Sequence, residues 1–362
     1  MTETWSRILA WSAKERHEAA AATEDMLAAT RKVTVLGGGS FGTAMAVLLA
    51  RNKPDLDVVL LLRNAAVADG INSRHVNERY LPAHTLPTNV RASTDAQEAL
   101  AGADYIVHAV PVQQSSAALS ALRDVISPST PILCLSKGLE IGTCHNMSEL
   151  IPIALGRKQP LAVLSGPTFA SELMQGLPTA IVAASEDPKL ASKVQRLFAS
   201  SNLRVNTSTD VVGVEMAGAL KNVLAIAAGI VEGLSLGNNA MAALVAQGCS
   251  EIRWLAVRLG ADAATLGGLS GVGDAMLTCF VNLSRNRTVG VRLGRGESLD
   301  AIMASSTQVA EGVATAASVV ILARKHRVVL PVMTAVARIV DGQMTPREAV
   351  DQLMDLPQVP EM

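Results

Sequence analysis

From Val33 to about Val205 the chain alternates short apolar runs of four to eight residues with longer segments whose apolar positions recur at helical spacing. Runs that short, bounded by polar or Gly/Pro breaks, read as strands, and their alternation with helices is the signature of βαβ units in a parallel sheet. Strands are predicted at 33–36, 57–62, 105–110, 131–135, 161–164, 179–184 and 203–206. Beyond Asp210 the strand-like runs stop. Long Ala-, Leu- and Val-rich segments take over, interrupted by glycines near 233–238, 267–273 and 294–296, which predicts helices alone. Thr207-Ser208-Thr209-Asp210 resembles a helix N-cap ahead of a long apolar run, so the boundary is placed near 208. Neither an internal repeat nor a low-complexity linker intervenes, which predicts two directly packed domains, 31–207 and 208–362, with a cleft between them.

Residues 1–30 precede the first strand and form a helical N-terminal extension on this reading. Glu3, Glu15, Glu18, Glu24 and Asp25 make the segment too acidic for a transit peptide and too polar for a secretory signal. Trp5, Leu9 and Trp11 are able to dock it on the body or on a neighbouring subunit; a frayed surface segment fits equally well.

Composition narrows the partners. With 31 basic against 32 acidic residues, the chain lacks the electrostatic footprint of a nucleic-acid or membrane-surface binder, which leaves a small molecule. Hydrophobic content is 49%, yet charges interrupt the apolar runs before the roughly 20 residues that a bilayer requires, so no membrane span is expected. Cys134, Cys144, Cys249 and Cys279 form no CxxC pair and sit in or beside apolar runs, as structural thiols do, and reduced thiols point to an intracellular compartment. The histidines, His75, His84, His108 and His145 among them, show no HExxH or other ligand spacing, so no metal site is expected.

Val33-Thr34-Val35-Leu36 leads into Gly37-Gly38-Gly39-Ser40-Phe41-Gly42 and then Thr43-Ala44-Met45-Ala46. Strand, GxGxxG and helix in that order form a dinucleotide-binding fingerprint. Gly37 lets the chain turn, Gly39 removes a side chain where the pyrophosphate approaches, and Gly42 lets helix and strand pack closely; the helix N-terminus offers N–H groups to the anion. The fold expected is therefore α/β, with a doubly wound, mostly parallel Rossmann-type sheet followed by an all-helical domain. Such folds usually carry an acidic residue after the second strand to hold the ribose 2′-hydroxyl, but here that strand ends Leu61-Leu62-Arg63-Asn64. Arg63 can meet a 2′-phosphate, which slightly favours NADPH over NADH; a surface arginine beside the adenine would leave the preference open.

Ligands of doubly wound sheets bind outside the carboxyl ends of the strands. The unusual ends are His108-Ala109-Val110-Pro111, Ser136-Lys137-Gly138 and Ser165-Gly166-Pro167-Thr168. Lys137 directly follows an apolar strand, so its ammonium either projects into the crevice or ends in solvent. From Met216 to Val231 the polar side chains are Lys221 and Asn222, in a stretch otherwise apolar all round. A lysine there either snorkels to water or faces a cleft, where desolvation and a nearby cation bring its pKa down from about 10.4 toward acid–base work. Asp274 ends the glycine-punctuated loop 267–273 and either caps the next helix or orients a lysine. Ser284-Arg285-Asn286-Arg287 gathers anion-matching donors, able to grip a phosphate or to form a solvated basic turn.

The stretches LGGGSFGTA, SKGLE, SGPTFA, EMAGALKNVLAIAAGI, GLSGVGD, SRNRTVG and VAEGVAT, in this order from about Lys32 to Met354, resemble the NAD(P)-dependent glycerol-3-phosphate dehydrogenases. The resemblance implies reversible NAD(P)H-dependent reduction of dihydroxyacetone phosphate to sn-glycerol 3-phosphate, feeding glycerolipid synthesis. It assigns proton transfer to Lys221, with Lys137 and Asp274 beside the reacting oxygen. Substrate contacts are implied for Gly166, Thr168, Asn222, Thr278, Ser284, Arg285 and Asn286, and dinucleotide contacts for Ser40, Phe41, Arg63, Tyr80, Lys137, Ala170, Arg285, Val309 and Glu311. A homodimer is expected, in the cytoplasm or, because residues 1–30 have no counterpart in short bacterial members, in a plastid stroma. The residues alone leave open a reductase of another small hydroxy or keto acid, and a non-catalytic dinucleotide-sensing module.

Overall fold

The computed structural model describes residues 29–306 and 309–357. The helical reading of 1–30, with Trp5, Leu9 and Trp11, lies outside the described residues. Eight strands form one sheet: β1 (Lys32–Leu36), β2 (Asp57–Leu61), β3 (Val90–Ser93), β4 (Tyr105–His108), β5 (Ile132–Cys134), β6 (Leu161–Ser165), β7 (Thr179–Ala184) and β8 (Leu203–Ser208). Their order is β3-β2-β1-β4-β5-β6-β7-β8. All neighbours run parallel except β6 and β7, so the sheet is mostly parallel and doubly wound. Register places Leu36 opposite both Leu61 and His108, and His108 opposite Cys134. The residues that follow these four, among them Gly37, Arg63, Ala109 and Lys137, therefore emerge along one edge of the sheet, where ligands of such sheets bind.

One strand escapes an apolar-run search. β3 reads VRAS, and Arg91 faces outward to pair with Asp57 at 3.0 Å and Glu98 at 2.6 Å, so the run is too short and too charged to be seen. It forms because it docks on β2 at the sheet edge, where Arg91 alone of its residues stays partly exposed.

After β8 the chain is helical. Asp210 accepts the Gly213 N–H at 2.8 Å and starts the Val211–Gly233 helix, around which the Gly237–Arg258, Asp274–Phe280, Arg285–Gly294, Glu311–His326 and Pro331–Val340 helices pack. This central helix corrects the reading that charges break every apolar run: it has 23 residues and its most apolar window a mean hydropathy of 1.6, enough by length and composition to cross a bilayer. Its most apolar window is wholly buried within the protein, so neighbouring helices take the place of lipid. Its charged groups, Glu215, Lys221 and Glu232, all meet partners within the fold.

Glycines set how closely its partner approaches. A Cβ at Gly229 would sit 2.0 Å from the Arg287 carbonyl oxygen, and one at Gly290 would sit 2.0 Å from that of Ile226. Gly233 and Gly294 repeat the contact one turn on, so Gly229-xxx-Gly233 on the central helix meets Gly290-xxx-Gly294 backbone to backbone. This is the small-xxx-small crossing that brings helix axes unusually close. Gly290→Ala is expected to destabilise the fold by about 1–3 kcal/mol, because the blocking atoms belong to backbone and cannot rotate away. Thermal unfolding measures it; Gly267→Ala, whose Cβ meets nothing closer than 3.6 Å, serves as the control and is expected to shift stability by less than about 0.5 kcal/mol.

Candidate active site

Three charged side chains from three elements meet at the edge of the sheet. Lys137 leaves the loop after β5, Lys221 projects from the middle of the central helix, and Asp274 opens the Asp274–Phe280 helix. A five-residue π turn, Leu269–Gly273, precedes Asp274, and Gly271 is indispensable in it: a Cβ there would lie 1.9 Å from the Leu266 carbonyl oxygen. Such turns are rare and recur at functional sites. Lys221 Nζ donates to Asp274 Oδ1 at 2.5 Å and to Thr278 Oγ1 at 2.8 Å, while Lys137 Nζ donates to Asp274 Oδ2 at 2.8 Å and to the Gly166 carbonyl at 3.2 Å. Thr278, one turn along, donates back to the Asp274 carbonyl at 2.6 Å.

An ammonium has three N–H groups, so each lysine keeps one without a protein partner among the described residues. The Asp274 side chain is 1% exposed, against 9% for Lys221 and 16% for Lys137, so this group of two cations and one anion sits almost out of water. Burial dominates the proton affinity of Lys221 and brings its pKa down to about 8; Asp274 opposes that fall and the Lys137 charge adds to it.

Lys137 reaches Asp274 by lying across Gly218, where a Cβ would come 3.4 Å from the lysine stem and 3.0 Å from Ser165 Oγ. Gly218 was missed as part of the site, and Ser165 entered the sequence reading only as the start of the Ser165-Gly166-Pro167-Thr168 strand end. A glycine inside the helical pattern Met216-Ala217-Gly218-Ala219 was the available signal, since an interior helical glycine costs about 1 kcal/mol and usually has a packing reason.

A hydrogen-bond chain flanks this group. The Gly312 N–H donates to Asn286 Oδ1 at 2.9 Å, Asn286 Nδ2 donates to Asn222 Oδ1 at 3.0 Å, and Asn222 Nδ2 donates to the Lys137 carbonyl at 3.5 Å. Both ends of the Asn286 amide are thereby engaged with protein. Ser284 caps the Arg285–Gly294 helix by accepting from the Arg287 N–H at 3.3 Å, which leaves its own O–H able to donate. Arg287 binds Glu232 and Asn282. Of the cluster, Arg285 is the residue left with an exposed side chain at the helix N-terminus. Thr168 donates to the same Gly166 carbonyl that Lys137 uses, at 3.2 Å.

The glycine-rich turn lies on the same edge. Gly37 has φ +101°, a conformation that favours glycine, and a Cβ there would lie 2.8 Å from the Ala109 carbonyl oxygen. Gly42 packs with its Cα against the Gly37 carbonyl, where a Cβ would be 2.3 Å away. At Gly39 a Cβ would meet nothing within 4 Å, and the Ser40–Asn52 helix begins without a side-chain cap. Open space before uncapped N–H groups suits a pyrophosphate. Phe41 packs on the sheet core and Ser40 Oγ donates to the Tyr80 carbonyl at 3.5 Å. Arg63, exposed at the end of β2, donates to Gln114 Oε1 at 3.1 Å. Ala170 opens the Ala170–Gln175 helix and Val309 is 42% exposed. Glu311 accepts the Val112 N–H at 3.2 Å through Oε1, whereas its buried Oε2 has no hydrogen-bond partner among the described residues. Among the described residues no group of three or more His, Cys, Asp or Glu could hold a metal ion.

A Rossmann-type sheet whose glycine-rich turn shares an edge with an amine pair, one amine from the sheet half and one from the helical half, defines the class of two-domain, dinucleotide-dependent dehydrogenases. Family profiles place the chain within that class: the NAD-dependent glycerol-3-phosphate dehydrogenase N-terminus matches residues 32–191 and the C-terminus of the same family matches residues 210–351. A chloroplastic glycerol-3-phosphate dehydrogenase [NAD(+)] of Arabidopsis thaliana is 61% identical over 99% of this chain and 85% of its own length. A glycerol-3-phosphate dehydrogenase [NAD(P)+] of Oleidesulfovibrio alaskensis is 44% identical over 89% of this chain and 98% of its own length. The crystal structure of glycerol-3-phosphate dehydrogenase from Coxiella burnetii superposes with a TM-score of 0.86 at 35% identity, covering 90% of this chain and 99% of that one. The chain belongs to the NAD-dependent glycerol-3-phosphate dehydrogenase family, and it is an oxidoreductase using NAD(P)H.

Asp274→Asn leaves two ammonium groups without a countercharge. It is expected to lower stability by about 3–5 kcal/mol in denaturant unfolding, the usual penalty for removing one partner of a buried ion pair. Because Asp274 raises the Lys221 pKa, the same variant is expected to move the alkaline bend of the pH–rate profile downward.

Proposed function

We propose that the chain catalyses the reversible reduction of dihydroxyacetone phosphate to sn-glycerol 3-phosphate, supplying glycerol backbones for glycerolipid synthesis. The observation that carries this reading is Asp274 shared between Lys137 and Lys221, with one N–H of each ammonium left over for a ligand oxygen. The names of the plant and bacterial relatives support the choice of substrate.

The Gly37–Gly42 turn would hold the dinucleotide, which when bound would supply the hydride as NADH or NADPH and accept it, in the reverse direction, as NAD+ or NADP+. Lys221, protonated, donates to the carbonyl oxygen as negative charge grows there, and in the oxidative direction it accepts the hydroxyl proton. Lys137 adds a second positive group beside that oxygen. Asp274 holds the two amines in place and limits how far their repulsion lowers the pKa of Lys221. Arg285, with the start of its helix, takes the substrate phosphate, and Gly166, Thr168, Asn222, Thr278, Ser284 and Asn286 shape the surrounding pocket. Binding at the phosphate positions the reacting carbon, an effect that can contribute several kcal/mol to the rate.

Arg63 is suited to a 2′-phosphate, and no carboxylate stands beside it at the end of β2 to hold the ribose 2′-hydroxyl, which supports use of NADPH as well as NADH. The match with the chloroplastic relative takes in 99% of the chain, against 89% for the Oleidesulfovibrio one, and this supports a plastid stroma over the cytoplasm. Assembly as a homodimer follows from the family resemblance and is read directly from mass by light scattering.

Oxidation of NADH and of NADPH, each followed separately with dihydroxyacetone phosphate and with unphosphorylated dihydroxyacetone, tests the reading. Equal rates with the two substrates would remove the phosphate site, and no oxidation with either cofactor would leave a sensing module. Lys221→Ala is expected to cut turnover by on the order of 10²–10⁴ with cofactor binding retained. The reductive rate is expected to fall as pH rises through about 8, because it needs Lys221 protonated, and the oxidative rate to rise over the same range. Near-wild-type turnover of Lys221→Ala would refute the assignment.

A further inference from the structure

Asn77 lies between the Ala65–Arg74 helix and β3, wholly buried, and the chemistry above does not use it. Its side-chain amide donates to the Gly38 carbonyl and to Thr43 Oγ1, each at 2.9 Å, while its Oδ1 is buried without a partner. The Gly38 oxygen can only accept, so the amide cannot be turned over without setting oxygen against oxygen. The Asn77 backbone carbonyl accepts from the N–H groups of Tyr80 at 3.2 Å and Leu81 at 2.8 Å. The Tyr80 carbonyl in turn accepts from Ser40 Oγ at 3.5 Å. One residue thus braces the glycine-rich turn from beneath, through its side chain and through the turn folded on its carbonyl.

In a planar trans peptide the C=O and the following N–H point in opposite directions. Drawing the Gly38 carbonyl inward onto Asn77 therefore turns the Gly39 N–H away from Asn77. That peptide joins two glycines, and with no Cβ on either side the steric resistance to rotating it is at its smallest. Rotated, it would aim a carbonyl oxygen at an approaching anion.

We infer that Asn77 is a positioning residue for the dinucleotide: it pins the Gly38–Gly39 peptide so that an N–H, and not a carbonyl, faces the pyrophosphate. The inference rests on the reading that the Gly37–Gly42 turn holds that group, and the experiment separates the two.

In the full chain, NADPH and NADH affinity by cofactor fluorescence, kcat at saturating cofactor and KM for dihydroxyacetone phosphate are measured for Asn77→Leu, Asn77→Asp and Gly39→Val. Asn77→Leu keeps the volume and removes the donors; Asn77→Asp keeps the shape and, ionised, offers no donor, so it carries the test if the leucine variant does not fold. Both Asn77 variants are expected to bind either cofactor about tenfold more weakly, the scale of one lost buried hydrogen bond. Their kcat is expected to stay within about twofold, with KM for the substrate unchanged, as for a loss confined to cofactor binding. Gly39→Val is expected to abolish cofactor binding. Wild-type cofactor affinity in the Asn77 variants, with Gly39→Val defective, overturns the inference alone. So does a parallel fall of kcat and affinity that follows thermal stability. Normal binding by Gly39→Val overturns the site and the inference together.

Discussion

Burying a charged amine costs several kcal/mol unless a carboxylate accompanies it, and in this protein one carboxylate accompanies two. Asp274 gives one oxygen to Lys221 and the other to Lys137, so neither lysine can be accommodated without it. Lys137 belongs to the sheet and Lys221 and Asp274 to the helices, so the same contact ties the two halves of the chain together. The excess positive charge that results sits at the carboxyl edge of a parallel sheet, beside the turn suited to a dinucleotide. A site that must stabilise a growing negative charge on oxygen needs such an excess, held in place before the substrate arrives.

Other buried carboxylates reinforce that joint. Glu215, on the central helix, accepts the Ser148 N–H at 2.8 Å and its hydroxyl at 2.7 Å, at the start of the Met147–Leu155 helix of the sheet half. Glu311 does the same for Val112 at the start of the Val112–Ala121 helix. Helix N-termini carry partial positive charge, so carboxylates from one half dock on them in the other. Burial nevertheless pushes the Glu215 pKa up to about 7, which shows how dry the joint is. The glycine crossing of the central and Arg285–Gly294 helices completes the frame, since backbone contact there sets where Asn222 and Asn286 can meet.

Much of this was legible in the chain itself. The βαβ alternation could be read because strands buried in a parallel sheet are short, apolar and regularly spaced, and seven of the eight strands stood out on that ground. β3 did not, since this four-residue edge strand is interrupted by the charged Arg91 and the polar Ser93. Lys137, Lys221 and Asp274 attracted notice because each interrupts an apolar or glycine-rich stretch. Their sharing of one carboxylate was not visible: 84 residues separate the lysines and 53 separate Lys221 from Asp274. Ser284 and Asn286 read as anion donors, and their additional use in a helix cap and an interhelical bridge was not visible in the chain.

Local sequence by itself determined the succession of elements, the glycine-rich turn and the candidate chemistry, because periodicity, capping and backbone freedom act over a few residues. It could not determine which glycines serve helix contact, that an apolar 23-residue helix lies in protein, or which polar side chains remain available to a ligand. Those properties depend on atoms brought together from distant positions. Only the tertiary structure decided them, since burial, hydrogen-bond partnership and proton affinity belong to an environment and not to a residue.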